Sequence, residues 1–265
     1  RYLEKTAEVP FTFLDVPYDD DDLSVKYLAD QLRSLADNLA ELTGKPFCEE
    51  QLREIIRVEN ETRKELKTFF HHQKERHYPA ELVSHLYLMM GMHLLIGSRE
   101  FLDLIRFMND EISQAPSFEG TKIMWVHLIP FYQETLKKYF NSSSDYQIVA
   151  TDMSLDFAEM LDEDHPFEAL ARKTIKNLFN GSYDQKSRRL AQMASELRPD
   201  AVINFCHWGC KQAFGGSMLL KEKMQELGIP MINLDGDGID KRNSHDGQIK
   251  TRLEAFLEMI KETKC

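Results

Sequence analysis

Ala201-Val202-Ile203-Asn204-Phe205, running directly into Cys206-His207-Trp208-Gly209-Cys210-Lys211-Gln212, decides how the second half of the chain is read. A short, nearly continuous apolar run reads as a strand covered on both faces, not one half exposed to water. Ile123-Met124-Trp125-Val126, Gln147-Ile148-Val149-Ala150 and Met231-Ile232-Asn233-Leu234 have the same texture. Helical periodicity fills about 131–140, 166–179, 184–197, 215–227 and 246–262 around them. This alternation predicts an α/β class: a parallel four-stranded, Rossmann-like sheet flanked by helices.

Upstream the pattern is helical. Asp22 is placed to N-cap a helix carrying Leu28, Leu32, Leu35 and Leu39, which stops at Gly44. Cys48 to His72 repeats the period, Pro79 opens a third helix and Ser98 caps a fourth. A helical block over 20–116 therefore precedes an α/β unit over 117–265. Phe11-Thr12-Phe13-Leu14-Asp15-Val16 reads as a short strand ended by Pro17 and the acidic run from Asp19 to Asp22.

At 265 residues, 42% hydrophobic and 29% charged, the chain has the material for one large globular domain or two ordinary ones. Lys plus Arg total 33 against 44 for Asp plus Glu, and a net charge of −11 argues against nucleic acid or an anionic membrane as partner. Leu86-Tyr87-Leu88-Met89-Met90 is broken by Gly91, His93 and Gly97, well short of the roughly 20 apolar residues of a membrane span. The opening Arg1-Tyr2-Leu3-Glu4-Lys5 has neither an initiator Met nor a signal-peptide core, and reads as part of a longer protein. Cys48, Cys206, Cys210 and Cys265 are too few and too scattered for a secreted disulfide framework, so a reducing cytoplasm is the expected compartment.

Ligands of an open parallel sheet bind at the carboxyl ends of its strands. That directs attention to His127–Pro130, Thr151–Phe157, Cys206–Ser217 and Asp235–Arg242. The third loop is the richest. A Cys210 thiolate near a helix N-terminus, beside Lys211 and His207, is suited to act as nucleophile or metal ligand. The residues alone leave a packed, inert thiol equally open, because Cys is among the most buried residue types and Cys-x-x-x-Cys is not a usual zinc pair. Cys206 continues the strand and is expected in the core.

Gly215-Gly216 before Ser217 has the composition of a phosphate cradle at a helix N-terminus, but matches neither a Walker loop nor Gly-x-Gly-x-x-Gly. Asp235-Gly236-Asp237-Gly238-Ile239-Asp240 lacks the spacing and closing Glu of an EF-hand and reads as a turn. His71, His72 and His77 read as a solvated helix end, and Met89, Met90 and Met92 as core filler.

Three blocks carry a resemblance: Pro199 to Gln212, Gly228-Ile229-Pro230-Met231-Ile232-Asn233-Leu234-Asp235-Gly236-Asp237, and Gly247 to Met259. In order and spacing they resemble the C-terminal domain of subunits of the 2-hydroxyacyl-CoA dehydratase and benzoyl-CoA reductase family. A weaker likeness runs through Phe13-Leu14-Asp15-Val16-Pro17 and Leu42-Thr43-Gly44-Lys45-Pro46. The resemblance implies two α/β domains joined by helices, with a 4Fe-4S cluster held between them. Residues 1–19 would then be the remnant of the first domain and Cys210 the cluster ligand supplied by the second.

It further implies a lyase that removes water from an (R)-2-hydroxyacyl-CoA through a ketyl radical. Its partners would be a homologous second subunit, forming a heterodimer, and an ATP-dependent iron-sulfur activator protein. His207, Trp208, Gln212 and Ser217 would line the substrate or tune the cluster. With the first domain's ligands missing, the fragment alone is expected to hold no intact cluster and to be inactive. A benzoyl-CoA reductase-like reaction, an electron-relay role without substrate, and a ligand-binding module without iron are the competing readings.

Overall fold

A computed structural model describes residues 5–6, 9–157 and 159–264. The helical block comprises α1 (Asp22–Thr43), α2 (Glu49–Glu75), α3 (Leu82–Leu95) and α4 (Arg99–Ser113). The cap of α1 is Asp21 and not Asp22: its Oδ1 accepts the Ser24 N–H at 2.8 Å. Asp22 instead places its charge in the first turn, where the helix dipole favours it, and pairs with Arg172 at 2.8 Å. Gly44 ends the helix in a left-handed conformation, φ 66°, which glycine adopts without steric cost.

Two further expectations are corrected. α3 opens at Leu82, three residues beyond Pro79, because the Ala80 carbonyl and the Leu82 N–H are taken by Ser142 and Asn141. Residues 11–16 form no strand. Their backbone is satisfied by α1 side chains, with Gln31 bonding both the N–H and the carbonyl of Asp15.

Of the methionines, Met92 is buried and Met89 packs on the Leu66–Phe101–Ile105 cluster, while Met90 faces solvent. His71 is exposed, and His77 Nε2 hydrogen-bonds the Ser143 carbonyl. Cys48 is exposed at the start of α2, and Cys265 lies outside the described residues.

The α/β unit is built on β1 (Thr121–Val126), β2 (Tyr146–Thr151), β3 (Ala201–His207) and β4 (Met231–Gly236), all parallel in the order β2-β1-β3-β4. Its helices are α5 (Glu134–Phe140), α6 (Pro166–Ile175), α7 (Tyr183–Leu197), α8 (Lys211–Glu226) and α9 (Asp246–Lys264). Successive strand residues point to opposite faces, so the apolar runs feed two cores. Ile123, Trp125, Ile203 and Phe205 pack under Leu136 of α5 and Leu253 of α9. Met124, Val126 and Val202 pack under Leu190 of α7 and Leu220 of α8.

The helix after β3 begins at Lys211, four residues before the glycine pair thought to precede it. Gly215 and Gly216 are thus inside α8 and cradle nothing at its N-terminus. The requirement at Gly216 is packing: a Cβ there would lie 2.1 Å from the Tyr183 ring of α7. A Gly216→Ala variant is expected to lose about 1–3 kcal/mol through overpacking, read by chemical denaturation. A variant as stable as wild type would show that the two helices separate freely.

Candidate functional site

The sheet order creates a crevice. β1 leads through α5 on one face to β2, whereas β3 leads through α8 on the opposite face to β4. The chain therefore leaves neighbouring strands β1 and β3 in opposite directions at their carboxyl ends, the geometry in which open α/β sheets bind ligands. His127 follows β1, His207 ends β3, and Cys210 follows it.

Cys210 is the N-cap of α8 and half-buried; its Sγ accepts the Ala213 N–H at 3.5 Å. A sulfur in that position faces the positive end of the helix, is reached from solvent, and is suited to bind a metal as thiolate. Cys206 is its opposite. It is 2% exposed and bonded by Asn204 Nδ2, and burial pushes its thiol up to about 11, partly offset by Ser217. The core thiol expected for Cys206 is what the fold provides.

The remaining residues of the loop divide. His207 is half-buried, and its Nδ1 accepts the Gly238 N–H at 3.0 Å. Gly209 lies so close that a Cβ would meet the imidazole Nε2 at 2.9 Å. Trp208 is exposed, with only its backbone tied to Gly236. Gln212 is half-buried on the first turn of α8, and Ser217 bonds back to Phe214 and sits nearer Cys206 than the crevice. Asp237 forms a turn: its carboxylate accepts from Ile239, Asp240 and Asn243, which together hold it down to about 2, Asn243 foremost.

Three groups with no role in the sequence reading stand at the same edge. His127 adopts φ 71°, a left-handed conformation costing an L-residue roughly 1–2 kcal/mol; strain of this kind gathers at functional sites. Its Nδ1 hydrogen-bonds the Phe205 carbonyl at 3.1 Å. Burial holds its imidazole below the ordinary value, with Lys186 and His207 acting in the same sense and Asp152 and the Phe205 carbonyl opposing. Asp152, the first residue after β2, is fully buried and paired at 3.0 Å with the buried Lys186 of α7, while its Oδ1 has no partner among the described residues. The one signal that marks His127 and Asp152 in sequence is their position directly after a strand.

Among the described residues, no group of three or more His, Cys, Asp or Glu is placed to hold a metal ion. Cys210 is the solvent-reached thiol at this edge. No helix of the described residues is long and apolar enough to cross a membrane.

The fold and the crevice define an α/β protein with a thiol and two imidazoles at the switch point of its sheet. The chain matches the family described as 2-hydroxyglutaryl-CoA dehydratase, D-component, over residues 1–260, and it belongs to that family. It is 21% identical to the (R)-phenyllactyl-CoA dehydratase alpha subunit of Clostridium sporogenes, over 98% of this chain and 66% of that one. It is 23% identical to the beta subunit of the same organism, over 89% and 64%. With the (R)-2-hydroxyglutaryl-CoA dehydratase alpha subunit of Acidaminococcus fermentans it shares 22% identity, over 97% and 56%. The chain thus spans about two-thirds or less of these relatives.

Proposed function

We propose that the chain is part of an iron-sulfur subunit of a 2-hydroxyacyl-CoA dehydratase, with Cys210 supplying one thiolate to a 4Fe-4S cluster. The observation that carries this reading is a solvent-reached thiol at the switch-point crevice of a chain in this family. The second core-side thiol, Cys206, is occupied by packing and takes no part.

The reaction explains why a cluster is wanted. Loss of water from a 2-hydroxyacyl thioester requires a proton from the β carbon, which the thioester does not acidify, because the hydroxyl occupies the α carbon. When bound, the cluster supplies single electrons, received from an ATP-dependent iron-sulfur activator protein, that make the β position acidic. The chain's own residues hold and shield: Cys210 caps α8, and the Ala213 N–H that its Sγ accepts fixes where that sulfur would meet the cluster. Trp208 and Phe214 offer exposed aromatic surface beside it for exclusion of water.

The relatives named as alpha and beta subunits support a homologous partner chain, giving a heterodimer. Assay of the full-length protein with partner, activator and ATP under anaerobic conditions tests the proposal. ATP-dependent conversion of an (R)-2-hydroxyacyl-CoA to the 2-enoyl-CoA is expected. Reduction of an aromatic thioester without any such dehydration would instead identify a reductase.

A further inference from the structure

We infer that His127 and His207 form a recognition pair across the crevice, His127 accepting the hydroxyl proton of a 2-hydroxyacyl thioester and His207 donating to its carbonyl oxygen. The inference rests on the dehydratase reading and specifies how this chain would distinguish its substrate.

The hydrogen bonds set opposite tautomers. The Phe205 carbonyl only accepts, so His127 carries its proton on Nδ1 and presents the Nε2 lone pair. The Gly238 N–H only donates, so Nδ1 of His207 is the acceptor and Nε2 presents the donor, with the Asp237 carboxylate 3.8 Å from the same Nδ1. Neither Nε2 has a protein hydrogen-bond partner among the described residues, and neither is a sealed atom, so both open to solvent. The two residues end or follow adjacent strands β1 and β3, between which the crevice lies.

An acceptor and a donor at the ends of adjacent strands, close enough for His207 to act on the His127 imidazole, are the complement of an α-hydroxy carbonyl, which offers a hydroxyl donor on the carbon next to a carbonyl acceptor. A carboxylate, with acceptors alone, would leave the His127 lone pair facing negative charge. Burial keeps His127 neutral and its lone pair available at neutral pH. The groups that face it are Asp152, Lys186 and His207; Asp152 and Lys186 satisfy each other's charge. The left-handed backbone of His127 turns the ring back toward Phe205 and so fixes the tautomer.

Binding of paired probes tests this on the full-length holoprotein with its partner subunit, without ATP so that nothing turns over. The pairs are lactoyl-CoA with propanoyl-CoA, phenyllactyl-CoA with 3-phenylpropanoyl-CoA, and 2-hydroxyglutaryl-CoA with glutaryl-CoA, compared by calorimetry. Wild type is expected to prefer the hydroxy member of the pair it binds best by roughly tenfold. His127→Asn keeps a donor for Phe205 and suits the left-handed backbone, but removes the Nε2 acceptor; the preference should fall to about one. His127→Gln, which restores an acceptor at that reach, should recover part of it. His207→Asn keeps an acceptor for Gly238 and removes the donor, so both members should weaken by the same factor.

A preference that survives His127→Asn overturns the pair while leaving the dehydratase reading intact. Wild type that binds none of the six probes overturns both.

Discussion

Replacing Lys186 with Met is expected to lower the stability of the fold by about 3–5 kcal/mol, the loss associated with breaking a buried ion pair from one side. Lys186 is 2% exposed and Asp152 0%, with 3.0 Å between Nζ and Oδ2. Met retains most of the alkyl stem, so the loss measures the charge and not a cavity. Asp152 has no reserve: its Oδ1 is already without a partner among the described residues. Removing Lys186 leaves a whole carboxylate desolvated. The double variant Asp152→Asn/Lys186→Met removes both charges and should regain most of the stability. Chemical denaturation of the three proteins decides it. A single variant within about 1 kcal/mol of wild type would mean that water reaches Asp152 and that the pair is not sealed.

Turnover by the full-length Cys210→Ser protein should fall by at least about a hundredfold, since loss even of groups behind a metal's direct ligands commonly costs 10–100-fold. Serine preserves the N-cap of α8, because its oxygen also accepts an N–H. The helix should therefore stay in place and thermal stability should change little. That separation matters, for a variant that unfolds would report on the cap and not on the ligand. Cys206→Ser should show the reverse pattern. Its thiol is buried, and a buried hydroxyl there loses stability while leaving the crevice chemistry in place.

The parts of the fold that were legible in sequence are those governed by local pattern. Four apolar runs became four parallel strands because each alternates between two covered faces, Trp125 toward one core and Met124 toward the other. Ser98 caps α4 by a bond to its own third neighbour, a contact written into adjacent residues. The misreadings have long-range causes. Gly215 and Gly216 read as punctuation before a helix, yet both lie inside α8, where the Tyr183 ring, more than thirty residues upstream, occupies the space a Cβ on Gly216 would need. The residues 11–16 alternate like a strand, but Gln31 of α1 takes the hydrogen bonds a neighbouring strand would need.

The site divides in the same way. The place of Cys210 was legible because its loop follows a strand and starts a helix, both local facts; its role as a ligand is what the family resemblance implies. Ser217 is close to it in sequence but lies beside Cys206, about two turns further along α8. His127, Asp152 and Lys186 come together only through the strand order β2-β1-β3-β4 and the placement of α7. The tautomers of the two imidazoles depend on Phe205 and Gly238, carbonyl and amide partners supplied by β3 and by the turn after β4. No spacing rule along the chain encodes that.

On the function proposed above, Cys210 and not Cys206 ties this chain to an iron-sulfur centre. Anaerobic iron and acid-labile sulfide analysis of the full-length protein, beside its Cys210→Ala and Cys206→Ala variants, tests it most directly. Wild type is expected to hold about four irons and four sulfides, as a 4Fe-4S cluster requires. Cys206→Ala should retain them and Cys210→Ala should lose most of them. Iron and sulfide in Cys210→Ala equal to wild type would contradict it.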